Sequence, residues 1–321
     1  MKLGKVFLVI LALSIFSFGQ QPKTQPTPTM IYNKDTRKMP VAERNNLYCA
    51  GYIQKAPVNT DFEIVGAERE YEQRIYSQGN MVYVNQGASN GVKVGDMFSV
   101  IRPRGQFKSK FSSKGGLGFY VQEVGAVEIV KVQNNVSVAR IKTSCDNFLF
   151  GDLLQPMATR TSPDFQTRPA LDLFAEPTGK AVGRIVLARD GRETLTKEEI
   201  VYIDLGAEDN VQVGSYLTIY RPLGTGGPLN YVNNETMQPT SDGYESRTYQ
   251  GGKYSIQAPR KSGSEANGKI VTTNEAKKRR PAGLRNIVGE MVILNVKERT
   301  ATALITRSAQ EIHTGDMVEI Q

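Results

Sequence analysis

Tryptophan is absent from this 321-residue chain, histidine occurs once and cysteine only twice. So few imidazole and thiol groups leave thin material for a zinc centre or for a nucleophile paired with a histidine base. The glycines near Gly115 and at 224–227 are not followed by the Gly-Lys-Ser/Thr and helix of a phosphate-binding loop. The mostly apolar run 6–18 counts thirteen residues, short of the ~20 that a helix needs to cross a bilayer. These shortages argue against a metalloenzyme, a nucleotide-binding enzyme and a helical membrane protein. No cofactor and no metal ligand set is expected.

What is present begins with a leader. Lys2 and Lys5 precede the apolar run, and Ser17 and Gly19 supply small residues ahead of a cut before Gln20. That pattern is a secretory signal peptide, residues 1–19, and it places the mature chain outside the cytoplasm, in a periplasm or cell envelope. No cysteine stands near the cut, which closes the lipid-anchored route; no transmembrane segment is expected after cleavage. Residues 20–40 are rich in Pro, Thr and Gln and read as a disordered tether. Losing Lys2 and Lys5 lowers the formal charge from +8 to +6, and residues 222–286 alone hold ten basic and five acidic groups. The remainder of the chain is close to neutral and has no general affinity for polyanions.

An internal repeat sets the architecture. Residues 82–103 (VYVNQGASNGVKVGDMFSVIRP) align without a gap on 201–222 (VYIDLGAEDNVQVGSYLTIYRP), with nine of 22 positions identical. A second pair, 124–153 and 288–317, follows in the same order, each member ending in Gly-Asp and an apolar residue. Alternating Val82, Val84 and Val92, Val94 flank Gly87 and Gly91, as in strands entering and leaving a tight turn. Residues 98–102 read as a strand stopped by Pro103, and 126–132 and 136–141 as a hairpin. Ser308 with Glu311 reads as a capping box for about one helical turn. The expected fold is all-β: two tandem small β-barrel-like domains from an internal duplication, at 41–156 and 183–321. A Pro-rich linker, 157–182, joins them, and a long disordered basic insertion, 223–287, interrupts the second.

The Gly-Ala-x-x-Gly-Val-x-Val-Gly-Asp motif and its Arg-Pro end, carried by Gly87, Gly91, Gly95, Asp96, Arg102 and Pro103, resemble the C-terminal domain of flagellar assembly protein T and related envelope proteins. The partner motif is Gly125, Ala139, Gly151 and Asp152, and the second copy keeps Gly206, Gly214, Gly315 and Asp316 but departs at Asn210 and Ser215. The resemblance implies a periplasmic β-domain that takes part in an assembly; it does not imply a flagellum.

Apparent active sites weaken on inspection. Residues 87–91 fit the G-x-S-x-G of hydrolases, but a strand pattern follows where a helix is required, and the second copy has no serine there. The repeated Gly-Asp aspartates read as turn residues, and His313 as an exposed turn histidine. Cys49 and Cys145, both retained after export, are expected to pair in an oxidising compartment. The leading expectation is therefore a non-catalytic structural or adaptor protein of the envelope, acting through β-domain surfaces in an assembly. The alternative is binding to cell wall or another anionic surface through Lys277, Lys278, Arg279 and Arg280. A nucleic-acid partner conflicts with the leader. N-terminal sequencing of protein from a periplasmic fraction should return a chain beginning at Gln20, and a membrane-bound product retaining Met1 would exclude this processing.

Overall fold

A computed structural model describes residues 39–43, 47–223 and 280–321. The residues assigned to a leader, those assigned to a tether up to residue 38, those assigned to the insertion from 224 to 279, and with them Lys277, Lys278 and Arg279 of the basic cluster, lie outside the described residues. Residues Met39–Gln321 belong to one compact unit.

The fold is all-β. The first copy contributes β1 (Tyr52–Gln54), β2 (Ile64–Ala67), β3 (Met81–Val84), β4 (Met97–Lys108), β5 (Gly116–Val132), β6 (Ser137–Ser144) and β7 (Leu153–Pro156). The second contributes β8 (Val182–Ala188), β9 (Thr194–Leu195), β10 (Ile200–Ile203), β11 (Tyr216–Pro222), β12 (Arg285–Val296), β13 (Ala301–Ser308), β14 (Ile312–His313) and β15 (Met317–Ile320). Strands of the second copy close into a barrel in the order β10-β13-β12-β11-β15-β8. The first copy repeats this order as β3-β6-β5-β4-β7 with β2 beside β3. Period-2 patterning fills each interior: Val82, Val84, Val100, Val127 and Ile129 in the first barrel, and Val201, Ile203, Leu217, Met291 and Ile293 in the second.

The two barrels differ at the seam between their first and last strands. In the second, β15 pairs β8 at Met317–Arg184, Val318–Gly183 and Glu319–Val182, and the Ile320 amide then donates to Ala181 O at 3.3 Å. In the first, Glu63 bridges Leu153 and the Leu154 amide donates to Phe62 O at 2.8 Å. There the ladder stops. The residue matching Ile320 is Pro156, which has no N–H to give.

Several local expectations change. The strand ending at Pro103 instead continues as β4 to Lys108, with a register shift at Pro103–Gly105. β7 leaves β4 after Ile101, so Pro103 has only one neighbouring strand, and an edge or bulge position tolerates proline. Residues 104–123 are thus the outer half of a long β4–β5 ribbon. The Ser308–Glu311 capping box forms no helix: β14 follows and pairs β9, and Ser308 Oγ donates to Gln310 O. β12 starts at Arg285, inside the stretch assigned to the insertion, because Pro222 and Arg285 are cross-strand partners. Met39 and Pro40, assigned to the tether, lie along the linker: Phe165 donates to Met39 O and Pro40 bridges Asp164.

The barrels are packed together, and β1 is the joint. It pairs β5 on the first barrel, sending Tyr52 against Ile101, Val121 and Leu153. The next residue, Ile53, points the opposite way and packs with Leu117 of the ribbon and with Val186 and Tyr202 of the second barrel. Ahead of β1, Ala42, Leu47 and Ala50 cover Ile200, Val292, Leu294 and Leu304 on the outside of the second barrel. A Cys49–Cys145 disulfide, with Cα atoms 5.6 Å apart, ties this covering segment to the first barrel. The linker adds a clamp. Arg160 bonds Glu123 in the first barrel and Leu47 O in the covering segment, while Arg168 pairs with Glu290 in the second barrel.

Tyr202 is fully buried and donates to Ala50 O at 2.6 Å. Burial pushes the pKa values of Tyr52, Tyr120 and Tyr202 above the ordinary phenol value. A raised folded-state pKa contributes stability that is complete below the unfolded value, about 10, and is lost as pH rises beyond it. Thermal unfolding between pH 8 and 11 should show this alkaline loss. Tyr202→Phe should cost about 1–3 kcal/mol at neutral pH, since Ala50 O is left buried without its donor, and should make the alkaline decline shallower. An unchanged melting temperature in the variant would contradict a buried joint.

Candidate functional site

The repeated motif residues assemble at equivalent places in both barrels, and two of them meet. Arg102 grips Asp152 with two bonds, Nε to Oδ1 at 2.7 Å and Nη2 to Oδ2 at 2.8 Å. Arg221 holds Asp316 at the same two distances. Each arginine also donates to a carbonyl of the preceding turn, Asn147 O or Glu311 O. Each aspartate accepts a further amide, from Leu149 or His313. The aspartates are buried. The Arg of Arg-Pro and the Asp of Gly-Asp are therefore one charge pair, with its acceptor oxygens satisfied. The paired carboxylate locks the turn before the last strand and leaves neither aspartate open to a ligand. The hydrogen bond to Asp152 holds Arg102 above the ordinary guanidinium value, outweighing desolvation.

The glycines explain themselves by contact. A Cβ on Gly87 would lie 2.2 Å from Gln133 O, and one on Gly206 2.5 Å from Glu298 O, because each backbone crosses the tip of the neighbouring hairpin. Gly91 and Asn210 both adopt left-handed φ, +82° and +61°, and Asn is the residue that best replaces glycine there. Gly95 and Gly214 donate to Ile129 O and Ile293 O, while Gly151 and Gly315 donate across the seam to Ile64 O and Ile185 O. Asp96 and Ser215 do one job: each side-chain oxygen accepts the amide three residues earlier, from Lys93 or Gln212.

Ser89 lies in a 3-10 turn, and its Oγ donates to Asn134 O at 2.8 Å. His313 corrects the expectation of an exposed turn residue: it is buried, and its Nδ1 accepts from Arg221. Arg280, the described member of the basic cluster, is half-buried. Among the described residues no group of three or more His, Cys, Asp or Glu side chains is placed to hold a metal ion, and no helix is long and apolar enough to cross a membrane.

What sequence inspection missed is where the two copies diverge on their surfaces. Two aligned pairs on the barrel exterior, Glu128 and Val292, Arg140 and Leu304, change from charged to apolar. In the second barrel those apolar residues are covered at the joint. The opposite change occurs at one rim of the first barrel. Ile75, Leu149 and Phe150 correspond to Thr194, His313 and Thr314, and they are 59%, 48% and 44% exposed. Ile75 precedes Tyr76, whose ring lies 5.5 Å from that of Phe150, and Tyr76 bridges Phe148. Tyr71, fully exposed, stands in the same β2–β3 connection. The fold builds this rim with polar residues in the second copy, so its apolar character in the first is not required for folding. Aligning the two copies for hydropathy rather than identity would have revealed both changes.

No family model matches the chain, and no curated protein matches it.

Removing Arg102 leaves a buried carboxylate unpaired, so Arg102→Ala should destabilise by about 3–5 kcal/mol. Arg102→Ala combined with Asp152→Ala should cost clearly less than the two single changes together. Denaturant unfolding of the four proteins measures the coupling, and additive costs would show that the pair is not a unit.

Proposed function

We propose that the protein is an exported, non-catalytic structural or adaptor protein of the cell envelope, joined to an assembly through its barrel surfaces. The observation that carries this reading is the exposed apolar rim of Ile75, Leu149 and Phe150, whose three counterparts in the second copy are polar. Exposed apolar side chains gathered on a folded surface mark contact sites, and aromatic residues are enriched where partners bind. Export is supported by the leader sequence and by the Cys49–Cys145 disulfide, a bond that persists in oxidising compartments. The resemblance of the repeat to flagellar assembly protein T's C-terminal domain fits the same class of role. The rigid joint between barrels suits an adaptor, because it presents the rim at a fixed orientation to the rest of the molecule.

The test places a photo-crosslinking amino acid at Tyr71, exposed in the same β2–β3 connection as Ile75, in cells producing the protein. The expected result is an adduct of discrete mass in the periplasmic or envelope fraction. Changing Ile75, Leu149 and Phe150 to the Thr, His and Thr of the second copy should abolish the adduct and leave the melting temperature within a few degrees. In parallel, residues 224–284 are replaced by a short Gly-Ser linker. Closing a long loop costs only about (3/2)RT ln n, so the barrel should tolerate the deletion. An adduct that survives the rim substitutions but disappears with the deletion would reject the rim and favour binding through the basic insertion.

A further inference from the structure

The unzipped seam of the first barrel opens into a cleft of about 360 Å³, separate from the apolar rim. Phe62, Phe98 and Leu154 line it together with the polar residues Asn59, Asn90 and Gln155. Among the described residues one carboxylate, Asp96, lines it, and no lysine or arginine does. A cleft so lined disfavours phosphate, carboxylate or any other anion, whose desolvation nothing would offset. It suits a ligand that is neutral or cationic and carries its own amide donors and acceptors.

The second barrel shows what fills the matching space. There, residues 178–181 run beside the end of β15. The amides of Thr178 and Gly179 donate to Glu319 Oε1, Thr178 Oγ1 donates to Ile320 O at 2.7 Å, and Ile320 donates to Ala181 O. Arg285 also donates to Glu319 Oε2, and against the desolvation of its burial this bond and those from Thr178 hold the Glu319 carboxyl below its usual range. Ala181 packs on the barrel core. In the first barrel the matching residues Pro57, Val58 and Asn59 line the cleft themselves. Asn59 Oδ1 caps the Asp61 amide, and Pro156, Gln155 and Asp96 stand where Ile320, Glu319 and Ser215 stand in the other copy. Pro156 removes the amide that would close the seam, while its carbonyl remains an acceptor like that of Ile320.

We infer that this cleft binds an extended, non-anionic peptide, which lies beside β7 where residues 178–181 lie beside β15. Strand-like addition to an incomplete sheet is a recurrent mode of peptide recognition. Asp96 complements a basic side chain in such a peptide, as it is the charged side chain that the described residues place in the wall.

The probe is an acetylated, amidated peptide with the sequence of residues 177–181, Pro-Thr-Gly-Lys-Ala, of net charge +1. It is titrated into the isotopically labelled full chain, and backbone amide shifts are followed. Saturable shifts at Asp61, Gln155 and Asn90 are expected. Pro156→Ile, which restores the closing donor, and Asn90→Trp, which fills the mouth from an exposed position, should each weaken binding at least tenfold. Both variants should keep the wild-type spectrum elsewhere, and Asn90→Trp tests the cleft should Pro156→Ile disturb the strand. Shifts confined to other surfaces, no saturable binding, or unchanged affinity in Asn90→Trp would overturn the inference. So would a chitin tetramer that shifts these amides when the peptide does not, which would assign the cleft to a glycan.

Discussion

The alternation of side chains along three residues of β1 holds the molecule together. Tyr52 enters the outer face of the first barrel, Ile53 that of the second, and the backbone between them pairs with β5. A strand offers two faces by geometry alone, and here each face has a different barrel to cover. Burial of each large apolar side chain contributes about 1.5–3 kcal/mol, so Ile53, Leu117, Val186 and Tyr202 together form a substantial contact. The polar bonds of the joint are satisfied within it: Thr300 and Thr302 hydroxyls donate to Ile53 O and Gly51 O, and Glu123 accepts from Gly51 and Arg160. The second barrel cannot expose Ile200, Val292 and Leu304 to water without loss, which makes the covering segment part of its fold.

Inside each barrel the same economy appears in polar form. One arginine and one aspartate, about fifty residues apart in the first copy and nearly a hundred in the second, close the same turn. Because the pair is buried, its loss leaves a charge without water or counter-ion, while its presence fixes the register of the last strand. The length of chain between the partners is irrelevant to the contact. That is why the second copy accommodates a far longer connection between β11 and β12 than the first does.

The duplication also acts as an internal control. Positions that stay alike, such as Gly87 and Gly206, and those that change residue but keep the same bond, such as Asp96 and Ser215, serve turns and close approaches. Positions that diverge in hydropathy mark where the two copies make different contacts. Three such surfaces emerge: the covered exterior of the second barrel, the open rim of the first, and the cleft beside Pro156.

The duplication, the all-β class, the hairpin at residues 133–135 and the turn motif were legible in the sequence, because period-2 patterning and glycine placement are local consequences of strand geometry and backbone sterics. The strand beyond Pro103 and the burial of His313 were not, since a proline's tolerance and a histidine's exposure depend on neighbours far along the chain. The same holds for the Arg102–Asp152 pair: both residues stood out within their motifs, but nothing local says that one motif ends on the other. The rim and the cleft needed more still. An exposed Ile75 and a buried Ile53 are indistinguishable by residue type, and only the arrangement of the two barrels decides which is covered and which meets solvent.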